Sequence, residues 1–292
     1  MRNWIAGFMS LLLLLTLAAC GPAMTGPSGQ EVPTAVEDGI LTIAMECAYA
    51  PYNWTQNDDS NGAVPIKSVP GSYANGYDVM IAKMICESQG WELEIVQSDW
   101  DSLVPAVMTG NIDAVIAGQS MTADRSEQVD FAGPYFYASI VCLAKKGSPF
   151  ASAGGLADLA GGSCTAQLGT IWYEKCLPQI EGARIQPASV DAPAMLMALE
   201  TGIVDFVCTD MPTAQGAVIA YPDMVILDFS GTPGDFQFSE QERTENVNIG
   251  ISVMKGNAYL KQAINDVLRP MSSDDFNALM QEAIRIQPLS ED

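Results

Sequence analysis

The sequence predicts an α/β protein of two similar lobes, and three observations carry that expectation. Short apolar strands alternate with amphipathic helices from Ile40 onward, the pattern of strands covered by helices. A helix that ends in glycine just before a strand occurs twice, as Met108-Thr109-Gly110-Asn111-Ile112-Asp113-Ala114-Val115 and as Leu199-Glu200-Thr201-Gly202-Ile203-Val204-Asp205-Phe206-Val207. After the second occurrence, Val225-Ile226-Leu227 reads as a strand that can return to the first lobe, giving the paired crossings that a hinge needs. The boundaries expected from this are 39–138 with 231–292 for the first lobe and 139–230 for the second.

Taken in order, Ile40-Leu41-Thr42-Ile43-Ala44-Met45 is a strand that ends at Glu46. Tyr49-Ala50-Pro51-Tyr52-Asn53-Trp54 follows, and the polar stretch 55–71 has no periodicity and reads as a surface loop or hairpin. From Tyr77-Asp78, the apolar Met80, Ile81, Met84 and Ile85 recur at helical spacing until Gly90. Leu93-Glu94-Ile95-Val96 is the next strand. Asp101 is placed to cap a helix running through Leu103, Val104, Val107 and Met108 to Gly110. The strand from Ile112 to Ala117 then feeds Gly118-Gln119-Ser120-Met121-Thr122-Ala123-Asp124-Arg125. That stretch sets two hydroxyls, a glycine backbone and an arginine at the end of a buried strand, where a small anion would bind. In the second series a weak helix lies near Leu156 to Leu159, a strand around Cys164 to Gln167, and Gly169-Thr170 opens a helix. A strand starting at Ile185, a helix from Ala192 to Leu199 and a strand ending at Thr209-Asp210 complete it. Val247 to Val253 is a further strand, and helices from Ala258 to Leu268 and from Ser273 to Ile286 finish the chain.

At 292 residues, 48% apolar and 16% charged, the chain can bury one large or two medium cores. Its formal charge of −22, from 13 basic and 35 acidic residues, makes nucleic acid a poor partner, because phosphate contacts need clustered lysine and arginine. The absence of histidine removes Ser-His-Asp and Cys-His catalysis and most zinc sites, and no cofactor is expected. Residues 1–19 have one positive charge, an apolar run from Ile5 to Leu17 and small residues before Cys20, the layout of an export signal. Residues 20–38, rich in Gly, Pro, Ser and Thr, read as a flexible tether. Of the cysteines after Cys20, most sit in apolar runs, and Cys164 with Cys176 is the expected disulfide pair if one exists.

Leu17-Ala18-Ala19-Cys20-Gly21 resembles the lipobox of bacterial lipoproteins, which implies lipid on Cys20 and a protein anchored to the bacterial cell membrane outside the cytoplasm. From Ile40 to Ile286 the chain resembles the extracytoplasmic solute-binding proteins (family 3) of polar amino-acid ABC transporters. The segments that carry the likeness are Tyr49-Ala50-Pro51-Tyr52, Gly76-Tyr77-Asp78-Val79, Trp100-Asp101-Ser102-Leu103-Val104-Pro105-Ala106, Gly118 to Arg125, and Val129-Asp130-Phe131 leading to Pro134-Tyr135. Ala132 and Gly133 replace the family's more usual Ser-Asp. The resemblance implies a two-lobed periplasmic-binding-protein fold (type II), with a ligand cleft between lobes joined by two crossover strands.

A free amino acid offers a carboxylate and an ammonium, and each needs a charged or hydrogen-bonding partner once enclosed. Arg125 supplies a planar fork suited to the carboxylate, and Asp210, on the other lobe, suits the ammonium. The resemblance implies that the Gly118 carbonyl and Ser120 hydroxyl help hold the ammonium, that Thr170 and the Ile171 N–H help hold the carboxylate, and that Trp100 stacks on the ligand. Each position also has a plainer reading: Arg125 as a solvated helix-start residue, Asp210 as a helix cap, Trp100 as core, Ser120 bonding only to local backbone. Glu46 could pair with a distal ammonium or guanidinium, Tyr49 and Trp54 could stack on it, and Gln167 suits an amide or hydroxyl. The expected function is therefore capture of a polar, cationic amino acid and delivery to an ABC transporter permease by a monomer. A neutral polar or aromatic ligand, a dehydratase-like enzyme on the same scaffold, and a sensory module are the alternatives.

Overall fold

The structure is a computed structural model that describes residue 32 and residues 36–288. Two five-stranded sheets with one topology form its centre. The first takes β1 (Ile40–Met45), β6 (Glu92–Gln97), β7 (Ala114–Val115), β8 (Val129–Tyr137) and β14 (Asn248–Met254) in the order β6-β1-β7-β14-β8. The second takes β9 (Ile140–Lys145), β10 (Ser163–Thr165), β11 (Arg184–Ile185), β12 (Phe206–Asp210) and β13 (Met224–Leu227) in the order β11-β10-β12-β9-β13. In each sheet the first three strands are parallel and the last two antiparallel to their neighbours. The fourth strand in each order, β14 or β9, arrives from the other lobe. This is a mixed α/β fold of two lobes, as the repeated helix–glycine–strand pattern implies.

Helices cover the sheets through their apolar faces. Along α1 (Tyr77–Gln89), Val79, Ile81, Ala82 and Ile85 are buried, and Gly90 ends the helix in the left-handed region at φ 72°. α2 (Trp100–Met108) buries Leu103 and Val107. Asp101 lies inside its first turn and does not cap it; the flanking residue is Asp99, whose side chain makes no capping bond. α4 (Ala192–Glu200) and α5 (Met211–Ala220) serve the second lobe, capped by Asp191 and Asp210. α7 (Ala258–Leu268) and α8 (Ser273–Ile286) lie where the sequence expects them.

Some expectations change. Val225-Ile226-Leu227 does not return to the first lobe: β13 pairs with β9 in the second sheet, where it satisfies the edge that β9 would otherwise expose. The chain returns later, through α6 (Glu240–Val247) to β14. The 55–71 stretch is a hairpin arrangement, with β2 (Ala48–Tyr49), β3 (Asn53–Gln56), β4 (Val64–Pro65) and β5 (Tyr73–Asn75) forming a small sheet in the order β2-β3-β5-β4. Cys164 and Cys176 are not joined: all six cysteines among the described residues are free and buried. Cys164 on β10 lies near Cys142, whereas Cys176 lies beside Cys208, so the expected partners face different neighbours. The signal segment, Cys20 and most of the tether lie outside the described residues.

Candidate functional site

In open α/β sheets the crevice beyond the carboxyl ends of parallel strands receives ligands, because backbone N–H groups and loop side chains converge there. Both sheets point such ends at one another. Glu46 follows β1, Gly118 lies just beyond β7, Gln167 follows β10, and Asp210 ends β12. Four of the expected residues cluster on the first-lobe side: Gly118, Ser120, Arg125 and Trp100 line one narrow cavity, and Thr170, Ile171 and Trp172 close it from the second lobe.

Arg125 sits on the short helix α3 (Ala123–Ser126), whose start is fixed by the Thr122 hydroxyl accepting from the Arg125 N–H. Its guanidinium turns inward. Nη1 donates to the Ser120 carbonyl at 2.9 Å and Nη2 to the Gly169 carbonyl of the other lobe at 3.2 Å. The Trp100 ring lies 5.3 Å from the guanidinium carbon, and its indole N–H also donates to Gly169, at 3.3 Å. Burial lowers the Arg125 pKa to about 10, so the group stays cationic at neutral pH while lacking full hydration. A carboxylate in this cavity would restore what burial removes. Gly169 has to be glycine for this approach: at φ 66° a Cβ would lie 2.8 Å from Asp101 Oδ1 and against the Trp100 ring.

The Ser120 hydroxyl donates to the Asn246 carbonyl at 2.9 Å, which commits its proton and leaves its lone pairs to accept from an ammonium. The Thr170 hydroxyl donates to the Gln167 carbonyl at 2.7 Å, so it must rotate to reach a carboxylate. Asp210 does cap α5, accepting from the Thr213 N–H at 2.9 Å and from the Thr213 hydroxyl at 3.1 Å. The same carboxylate accepts the Tyr49 hydroxyl from the first lobe. Burial raises the Asp210 pKa, and the bonds from Thr213 and Tyr49 oppose that shift. Tyr49 is therefore not a free stacking face, since its ring stacks on Tyr52 with centroids 4.8 Å apart. Trp54 is buried in the small sheet, its indole N–H on Gln56, away from the cleft. A second aromatic beside Trp100 in the cavity lining is Trp172, which the sequence reading passed over two residues beyond Thr170.

Beyond Trp100 the cleft widens. Glu46 meets Gln167 across the lobes, the Gln167 amide nitrogen lying 3.1 Å from each carboxylate oxygen. Glu46 also lines a groove of about 770 Å³ whose other ionisable residues are Asp99, Asp101 and Asp191. Burial raises the Glu46 pKa to about 7; the Gln167 bond opposes this, and the three aspartates add to it. Asp99, Asp101 and Asp191 carried no functional expectation, because each sits at a helix start where an acid is ordinary.

The described residues contain no helix long and apolar enough to cross a membrane and no group of three or more Cys, Asp or Glu placed to hold a metal ion. Residues 41–284 match the family described as bacterial extracellular solute-binding proteins, family 3. The chain belongs to this family. A probable histidine-binding protein of Neisseria gonorrhoeae is 29% identical to this family 3 binding protein over 274 residues, covering 92% of this chain and 90% of that one. An amino acid ABC transporter substrate-binding protein from Streptococcus pneumoniae, solved bound to L-arginine, superposes with a TM-score of 0.69 at 25% identity, covering 85% and 96% of the two chains. An ancestral arginine-binding protein, solved with arginine and separately with glutamine, gives 0.66 at 29% identity over 84% and 97%. Family 3 members bind solutes for transport, and this binding protein is not an enzyme.

Proposed function

We propose that this protein captures a polar L-amino acid, by preference one with a cationic side chain, between lobes 39–138 with 231–292 and 139–230, and presents the closed form to an ABC importer. The observation that carries the reading is a cavity lined by Arg125 of one lobe and by Thr170 and Ile171 of the other, with Asp210 at the carboxyl end of β12 bonded across the lobes to Tyr49 and with Glu46 facing a wide acidic groove. The first two match the charges that every amino acid shares, and the third matches a distal cation. Gly118, Ser120, Thr170 and Ile171 complete the head-group site, and Trp100 separates it from the groove. Lipid on Cys20 would hold the protein, as a monomer, at the cell membrane.

A neutral polar ligand is the second reading, and one observation favours it. Glu46 already bonds an amide, that of Gln167, and near neutral pH it is part-protonated, a pairing that also suits a ligand amide or hydroxyl. Thermal melting of the mature chain against the common amino acids separates the two, because a bound ligand raises stability by RT ln(1 + [L]/Kd). L-Arginine, L-lysine or L-histidine should raise the melting temperature most. Failure of all common amino acids to raise it would overturn the assignment.

A further inference from the structure

Two first-lobe segments that enter the cleft bend through a left-handed residue: Cys47, at φ 56°, directly after Glu46, and Gly118, at φ 64°. For Cys47, which carries a side chain, that conformation is uncommon and needs support. Each of the two residues has its backbone N–H held by a buried side chain. The Cys47 N–H donates to Asn53 Oδ1 at 2.7 Å, and the Gly118 N–H donates to the Tyr135 hydroxyl at 2.9 Å. Both holders pass a hydrogen bond to one acceptor: Asn53 Nδ2 donates to Asp78 Oδ2 at 2.7 Å, and the Tyr135 hydroxyl to Asp78 Oδ1 at 2.6 Å. Asn53, Asp78 and Tyr135 are each 0% exposed, so no water competes for these bonds.

We propose that Asp78, in the first turn of α1, is a positioning residue for ligand binding. Through two arms it fixes the left-handed turns that present Glu46 and Tyr49 on one side and the Gly118-to-Arg125 stretch on the other. The direction of donation along the arms identifies why a carboxylate is needed. A backbone N–H can only donate, so Asn53 must accept through its amide oxygen and pass on through its NH2. Tyr135 likewise accepts on its oxygen and gives its single proton onward. Both arms therefore deliver a hydrogen, and only a group that accepts on two atoms closes the chain. An amide at this position sets donor against donor on one arm. The Gly118 N–H also lies within reach of the carboxylate itself, which ties that arm more tightly. Gly118 has to be glycine in this position, since a Cβ there would lie 2.7 Å from the Tyr49 ring.

The arms can be cut separately. Tyr135→Phe should weaken L-arginine and L-glutamine alike, by roughly tenfold, because it loosens the head-group stretch. Asn53→Ala should weaken L-arginine more than L-glutamine, because it loosens the turn behind Glu46. Asp78→Asn should weaken both more than either single-arm change. A second substitution, Cys47→Gly, placed in the Asn53→Ala chain should restore most of the lost arginine affinity, since glycine takes the left-handed turn unaided. Hydrogen exchange needs no ligand: the Cys47 and Gly118 amides should exchange faster in Asp78→Asn, while the amides of β12 keep their rates. If Asp78→Asn does not fold, the two single-arm variants decide. Lower melting temperatures with both affinities held within about twofold, or unchanged exchange at both amides, would overturn the proposal. The affinity measurements rest on the amino-acid reading; if the wild type bound neither probe, that reading would fail while the exchange measurement still decided the relay.

Discussion

Around Arg125 the cleft is narrow and its one charged lining residue is that guanidinium, which bonds two peptide carbonyls and lies over the Trp100 ring. Around Glu46 it opens into about 770 Å³, and every ionisable residue of its lining is acidic. The difference follows from what each end has to recognise. An α-carboxylate has one geometry and charge in every amino acid, so its site can be shaped in advance. Side chains differ in length and charge, and a roomy groove of one sign discriminates by long-range attraction more than by fit. On the proposed function, the narrow end would set whether an amino acid binds, and the wide end which.

The sharpest way to break that division is Arg125→Ala. It should lower affinity for every amino acid by at least about 3 kcal/mol, read by isothermal titration, because a bidentate charged pair is lost from a buried site. Selective loss of cationic ligands would instead merge the two ends. Glu46→Gln comes next, with an expected loss of roughly 1–3 kcal/mol for L-arginine and little for L-glutamine; equal losses would take selectivity away from the groove. A smaller effect comes from pH. Because Glu46 titrates at about 7 and a cationic ligand pairs with its ionised form, arginine affinity should fall by up to about tenfold per unit below pH 7 and level off above.

The same shift bears on the free protein. Glu46 titrates at about 7, against 4.5 for the ordinary group, so between these values the folded chain keeps a proton that the unfolded chain has lost. Its contribution to stability is greatest below the ordinary value and is lost as pH rises through 7. The ligand-free protein should accordingly melt at a higher temperature at pH 5 than at pH 8; the reverse order would place this carboxyl in a more hydrated setting. The smallest change is expected for Asp191→Asn. Asparagine keeps the cap on α4, where Asp191 accepts from the Ala194 N–H at 2.8 Å, and removes only a half-buried charge. Arginine affinity should drop by about 0.2–1 kcal/mol, and less in high salt.

Much of this was legible in the chain. Strand ends are readable because apolar runs stop abruptly at polar residues, as at Glu46 and Asp210, and these ends are where the cleft forms. The last two helices carry clear 3.6-residue periodicity and strong caps, Asn257 and Ser272. α6 escaped notice because Glu-Gln-Glu-Arg-Thr-Glu-Asn-Val has no apolar face; its only local signal is the capping box between Ser239 and Glu242. The destination of β13 depends on which edge is free in three dimensions, which no local pattern encodes. Trp54 and Trp172 show the same limit within the site, since an aromatic near a strand end can face the core or the cleft, and packing alone decides. The relay through Asp78 lies further from sequence: its members, Asn53, Asp78 and Tyr135, meet only after β3, α1 and β8 have been brought together.

The Gly169 carbonyl receives hydrogen bonds from both Trp100 and Arg125 of the facing lobe. Under the proposed function, a peptide carbonyl of the protein is thus a competitor for the donors that an amino acid's carboxylate would engage. Affinity at this site would be the surplus of the solute's anionic group over that internal rival. The rival would set a threshold: a solute whose acceptor is no better than an amide oxygen would gain nothing by displacing it, whereas a full negative charge would.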